Sequence, residues 1–229
     1  NIMNVTGPYL KFEVLKPIFE KKFAENQDNL KAIQNMLEIL GKNNYTENDL
    51  YMTLSEKAYE LDPSAKAANA LGNAHFGNES YEKAIYYYSE AVKLEEGNTD
   101  DKYKYLMSLA ESNKRAGNLS AARANAQKAA DVQPDNGQPY IFIGDLYATS
   151  ASSCGSDEFE QKAIYWIAVD QYIIARGKGA EEAGQRIAKY SGHFPSKEDA
   201  FYEDPPVKEG DSYSVGCWIN RTTKARFNN

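Results

Sequence analysis

The feature that most constrains this chain is a recurrence of very small residues, in step with apolar residues at helical spacing. Residues 65–98 read AKAANALGNAHFGNESYEKAIYYYSEAVKLEEGN. Small or apolar side chains fall at Ala68, Leu71, Gly72, His75 and Phe76, then at Tyr81, Ala84, Ile85, Tyr88, Ala91 and Leu94. That spacing marks one face of each of two helices, and Gly77-Asn78 between them is a turn signal. The scheme returns over residues 103–136, YKYLMSLAESNKRAGNLSAARANAQKAADVQPDN, at an offset of 38. Leu109-Ala110 stands for Leu71-Gly72, Gly117 for the turn, Ala122 for Ala84, Ala129 for Ala91 and Val132 for Leu94, with Pro134 closing the unit. Residues 99–102 are read as a lengthened joint between the two copies. Gly72 or Ala110 is expected to face Ala84 or Ala122, because small side chains let helix backbones approach closely. Tyr88 fills the space between, and Ala91 and Ala129 receive the next hairpin.

The pattern resembles the tetratricopeptide repeat, a helix-turn-helix unit of about 34 residues. Two weaker copies flank the clear ones. In residues 30–64, Ala58, Leu61 and Pro63 match the end of the unit and Gly41-Lys42-Asn43-Asn44 the turn. In residues 137–176, Ile143-Gly144 and Tyr147 fit the first helix, and KAIYW echoes KAIYY after a swollen turn, TSASSCGSDEF. A helix over 180–192 and a helical extension within 1–29 complete the reading, with Pro17 expected to kink or divide the stretch 9–24. The expected fold is all-α, an α-α superhelix closed by a small C-terminal β-hairpin cap over 193–229.

That cap follows from the last stretch, HFPSKEDAFYEDPPVKEGDSYSVGCWINRTTKARF. Its aromatic load, Phe194, Phe201, Tyr202, Tyr213 and Trp218, is too heavy for a disordered tail. Alternation at Tyr213, Val215 and Cys217 predicts a half-buried strand. Residues 219–223 are read as the turn and 224–227 as the return. A lone hairpin is marginal in water, so it is expected to cover the exposed apolar face of the last repeat, as solenoid ends require.

The segments GQPYIFIGDLYATSASSCG, KAIYWIAVDQY, HFPSKEDAF and GDSYSVGCWINRTTKAR also resemble a group of exported bacterial tetratricopeptide proteins that end in the same non-repeat module. The resemblance spans roughly residues 50–229. It implies an extracytoplasmic location, in periplasm or cell envelope, after loss of a signal peptide and of N-terminal repeats. The chain opens at Asn1 rather than Met, which fits that expectation. It implies no catalytic activity. If the cap packs on the last repeat, Cys154 and Cys217 can meet. In an oxidising compartment they would form a disulfide worth about 4 kcal/mol in the chain-entropy model. The alternative is two buried free thiols.

Other chemistry is thinly represented. The two cysteines and two histidines, His75 and His193, are scattered singly, whereas a structural zinc site needs four clustered ligands. No phosphate loop, H-E-x-x-H pair or G-x-S-x-G turn occurs, so no cofactor, metal or catalytic residue is assigned. The net charge of −7 argues against a nucleic-acid partner, and no apolar run is long enough for a transmembrane helix. His75 is read as a packed interior side chain, and Asp170 as a hydrogen-bond partner of the cap. Of the run Tyr86-Tyr87-Tyr88, only Tyr88 points inward.

Function is expected on the concave face that the first helices line. Repeat phase places Lys66, Asn69, Asn73 and Phe76 there, then Lys104, Met107, Glu111, Lys114 and Arg115, then Gln138, Ile141 and Asp145. Asn and Lys along a groove can hold a peptide backbone or carboxylate. The expected role is a non-enzymatic scaffold for a protein or peptide. The alternative is a structural subunit of an envelope assembly, held through its ends or convex face.

Overall fold

The computed structural model describes residues 11–203 and 205–228, and within them the chain divides into two compact units with a boundary at residues 116 and 117. The first ten residues, including Tyr9 and Leu10 of the predicted N-terminal stretch, lie outside the described residues.

The first unit is a succession of helices: α1 (Phe12–Glu25), α2 (Leu30–Lys42), α3 (Asp49–Leu61), α4 (Ala65–Gly77), α5 (Tyr81–Leu94) and α6 (Thr99–Arg115). Their starts are written in short polar side chains. Asn29, Asn48 and Ser64 each accept the backbone N–H three residues on, and Asn98 accepts from Asp100 and Asp101. Each cap satisfies donors that a helix N-terminus otherwise leaves unpaired. Asn98 starts α6 earlier than expected, so 99–102 is a further turn of helix and not a joint. Pro17 divides nothing: α1 runs through it, with Leu15 and Phe19 buried on either side. The turn after α4 also differs from expectation. Gly77 is still helical, and the left-handed residue is Glu79 (φ 55°), the counterpart of Gly117 (φ 81°). Gly77 serves close approach instead, since a Cβ there would lie 2.6 Å from Cγ of Glu47.

Small residues do allow nesting, though with a different partner. A Cβ on Gly72 would meet the Tyr88 ring at 2.5 Å, so the glycine makes room for that ring and not for Ala84. Ala84 is fully buried in a cluster with Tyr88 and Leu109. Ala65 and Ala68 of α4 share another cluster with Ala91 of α5 and Tyr105 of α6.

The second unit holds α7 (Leu119–Val132), α8 (Gln138–Thr149), a short α9 (Ala151–Cys154), α10 (Glu158–Gly177), α11 (Ala183–Ser191), α12 (Lys197–Phe201), β1 (Ser212–Val215) and β2 (Arg221–Lys224). The swollen turn is therefore α9 and a bend ending at Asp157, which caps α10. Helix α12 was not expected; Ser196 and Asp199 start it with reciprocal side-chain to backbone bonds. The hairpin forms, with Ser212 opposite Lys224 and Val215 opposite Arg221. Its boundaries differ from those read in the sequence. The turn is 216–220, with Cys217 (φ 59°) and Asn220 (φ 42°) left-handed, so Cys217 is a turn residue and the return strand starts at Arg221.

The hairpin docks on α10 around Trp166, whose side chain is fully buried. Tyr213 and Phe227 pack edge-on against that ring, at centroid distances of 5.4 and 5.7 Å. The Trp166 indole N–H donates to the carbonyl of Arg226. Arg226 and Thr223 in turn donate to Asp170 at 2.8 and 2.5 Å, the cap contact expected of Asp170. The turn is fastened separately. Cys154 and Cys217 are disulfide-bonded across a Cα–Cα distance of 5.4 Å, and Trp218 donates from Nε1 to the Ser150 hydroxyl at 3.2 Å.

Candidate peptide-binding surface

The residues predicted to line the groove separate into three kinds. The first kind is committed to the scaffold. Asn73 accepts from the Tyr88 hydroxyl at 2.7 Å and donates to the Tyr51 hydroxyl at 3.5 Å, joining α3, α4 and α5. Ser108 of α6 also bonds the Tyr88 hydroxyl. Burial pushes both phenols above the ordinary tyrosine range, so they remain neutral hydrogen-bonding groups. Phe76 packs edge-on against Tyr81 in the core cluster of Ala84 and Leu109, and Ile141 is buried.

Asp145 belongs to the same kind. It accepts two bonds from the Arg186 guanidinium, at 2.9 and 3.1 Å, and one from the Tyr172 hydroxyl at 2.8 Å. Burial, then the neighbouring carboxylate, drives the Tyr172 pKa up, while Asp145 raises that of Arg186. A Cβ on Gly144 would lie 2.5 Å from the Tyr172 ring, which repeats the Gly72–Tyr88 arrangement. Sequence reasoning missed Tyr172, Arg186 and Trp166. Gly144 one residue before Asp145, in the phase of Gly72-Asn73, was the available signal for the first of them.

The second kind is charged but paired. Glu111 accepts from both Lys114 (3.2 Å) and Arg115 (2.9 Å), which raises the Arg115 pKa. Lys104 pairs with Asp101 at 3.3 Å, and Gln138 donates to Glu182 at 2.5 Å. Exposed pairs of this sort are worth little, so these side chains can exchange partners readily.

The third kind is uncommitted. Lys66 is exposed, and Asn69 and Met107 are half-buried. Asn69 makes no hydrogen bond among the described residues. Helices α4 and α6, which carry these residues, meet through the cluster of Ala65, Ala68 and Tyr105. Lys66 also helps to hold the Glu38 carboxyl of α2 below its usual range, after the larger effect of the Lys42 hydrogen bond.

The remaining aromatic and ionisable groups have structural surroundings. His75 is buried and stacks on Tyr87 with ring centroids 5.3 Å apart, and burial lowers its pKa. Tyr86 is exposed while Tyr88 is buried, as their angular separation on a helix requires. His193 lies against Tyr165, which stacks on Tyr190. Among the described residues, no cluster of His, Cys, Asp or Glu is arranged to hold a metal ion. Nor is any helix long and apolar enough to cross a membrane.

The sequence profile of the tetratricopeptide repeat matches residues 65–98, the α4–α5 hairpin. Those residues are a tetratricopeptide repeat. The rest of the chain supports the same architecture at the level of fold. A crystal structure of MamA protein aligns with a TM-score of 0.57 at 21% identity, over 75% of this chain and 84% of that one. A second MamA structure gives 0.56 at 20% identity, over 77% and 99%. YrrB, described as a TPR protein with an unusual peptide-binding site, aligns at 17% identity over 76% and 89%, with a TM-score of 0.48. No curated protein sequence matches the chain.

Proposed function

We propose that this protein is a non-enzymatic scaffold that holds a protein or peptide against the α4 and α6 side of its first unit. The observation that carries the reading is the third kind of residue above. Lys66, Asn69 and Met107 sit on two helices that share a core, yet among the described residues their side-chain ends make no hydrogen bond or ion pair. Tetratricopeptide and other solenoid repeats present extended surfaces of this sort to partners. Lysine and asparagine offer donors for a peptide backbone or carboxylate, and methionine adapts to varied apolar side chains. We place the site outside the cytoplasm. The Cys154–Cys217 bond supports that reading, since disulfides persist in oxidising compartments.

Capture of partners from the source cells tests this directly. The Lys66→Glu/Lys104→Glu double variant is expected to lose the partner that the unaltered protein retains. Retention of the same partner by a folded double variant would overturn the reading.

A second reading, a structural subunit that assembles through its ends, is favoured by one observation. Phe201 and Tyr202, at the end of α12, are 70% and 76% exposed and pack on each other. Replacing both with serine separates the two readings: the assembly reading requires loss of the partner, the groove reading requires its retention.

A further inference from the structure

We propose a second binding site, within the second unit, for an acidic peptide segment that carries a bulky apolar side chain. The site is a groove of about 490 Å³ between α7, α8 and α10, closed at one end by β2. Tyr140, Ile143 and Tyr147 form its floor, Arg123 and Ile174 its walls, and Arg221 its end. The floor residues follow one another at helical spacing. They are offset by two positions from Gln138, Ile141 and Asp145, which turns them about 200° around the helix axis. The groove therefore shares no residue with the surface proposed above.

Charge selects the occupant. The chain has 33 acidic and 26 basic residues, yet no Asp or Glu lines this groove. Arg123 is held in place: it donates to the carbonyl of Ile219 at 2.5 Å, and its guanidinium lies 5.5 Å from the centre of the Trp218 ring. Arg221 is exposed and makes no ion pair among the described residues. At the other end of the floor, the Lys178 ammonium sits 5.5 Å over the Tyr140 ring. Positive charge thus brackets an aromatic and aliphatic floor, and Ile174 remains 40% exposed beside it. A segment with carboxylates on either side of an apolar side chain complements that pattern. The carboxylates meet the Arg221 guanidinium, which binds them through paired N–H donors, at one end and the Lys178 ammonium at the other, and the apolar side chain covers Ile174 and the part of Tyr140 that stays accessible. A nucleic acid would offer phosphates to the same arginines, but the net charge of −7 opposes a polyanion over the rest of the surface.

The test uses the full chain with its disulfide intact and a fluorescein-labelled peptide of (Glu-Glu-Leu) repeats, about nine residues long, read by fluorescence anisotropy. The peptide is expected to bind, with affinity falling about tenfold or more between about 50 and about 500 mM salt. A loss of similar size is expected in Arg221→Glu and in Gln127→Glu, exposed changes whose folding is checked by circular dichroism. The Lys66→Glu/Lys104→Glu variant separates the two surfaces: a peptide that is lost there but kept in Arg221→Glu has bound the first surface, and that result overturns the proposal. Four outcomes would overturn the proposal: no binding, equal binding of the lysine counterpart (Lys-Lys-Leu), indifference to Arg221→Glu, or displacement of the peptide by a single-stranded oligonucleotide.

Discussion

The two units solve one packing problem with the same pair of residues and finish it with opposite chemistry. In the first unit Gly72 admits the Tyr88 ring, and in the second Gly144 admits the Tyr172 ring, each to within 2.5 Å of where a Cβ would be. The residue after each glycine accepts the tyrosine hydroxyl, at 2.7 Å for Asn73 and 2.8 Å for Asp145. Asn73 is neutral and passes the hydrogen bond on to Tyr51, inside a run of helices that all bury apolar faces. Asp145 is charged and is shared with Arg186 of α11. The next helix explains the difference. Helix α6 buries Tyr105, Leu106, Leu109 and Ala110, whereas α11 buries only Ala183. A helix with so little apolar surface to hide needs ionic and ring contacts to stay in place. It has them in Arg186 on Asp145, Glu182 beside Gln138, and Tyr190 stacked on both Tyr165 and Tyr172.

The comparison can be broken or sharpened by substitution, and the largest effect should come from the part with no counterpart in the first unit. Trp166→Ala removes the ring on which the hairpin docks and should cost about 3–5 kcal/mol. Amide exchange should accelerate along α10 and the hairpin but not along α5; uniform acceleration would mean that the cap is not a local feature of its own unit. Gly72→Ala and Gly144→Ala each force a methyl into a tyrosine ring and should each cost about 1–3 kcal/mol in chemical denaturation. A large difference between them would show that the two nests are not equivalent. Tyr172→Phe deprives a carboxylate of a donor and should cost about 1.5–3 kcal/mol, against about 0.5–1.5 for Tyr88→Phe, whose acceptor is neutral. Equal losses would mean that the charge on Asp145 is fully answered by Arg186.

The smallest effect concerns pH. His75 is buried and its pKa is lowered in the folded chain, so the unfolded chain binds the proton first. Stability is therefore whole above the ordinary histidine range and falls as pH drops through it toward the depressed folded value. The loss should appear in amide exchange of α4 and α5 and should vanish in His75→Phe.

What could be read in the sequence was what is encoded locally and repeated. The α4–α5 hairpin, the small residues at Gly72 and Ala84, and the inward tyrosine all follow from spacing within a few turns of helix. The hairpin at the chain's end was legible from alternation, and Asp170 from its place beside an aromatic helix face. The misses share a cause. Whether Tyr88 or Ala84 meets Gly72 depends on helix rotation, which spacing alone leaves undetermined. The true turn, 216–220, contains Cys217, whose bonding partner Cys154 lies far away in sequence, and alternation through Cys217 pointed to a longer strand. Trp166 looked like one more aromatic residue on a helix until the chain returned to bury it. Of the twelve residues placed on the predicted binding face, Ile141 is buried, and Asn73, Phe76 and Asp145 have partners inside the fold that other helices contribute.

The bond between Cys154 and Cys217 has a mechanical consequence. A pull applied at Phe227 reaches Cys217 after the short β2 strand and then passes through sulfur to the end of α9, bypassing α10, α11 and α12. If this end of the protein is where tension arrives, the strand and the contacts of Arg226 and Phe227 with Trp166 yield first, and the residues between the two cysteines are not drawn out for as long as the bond is oxidised.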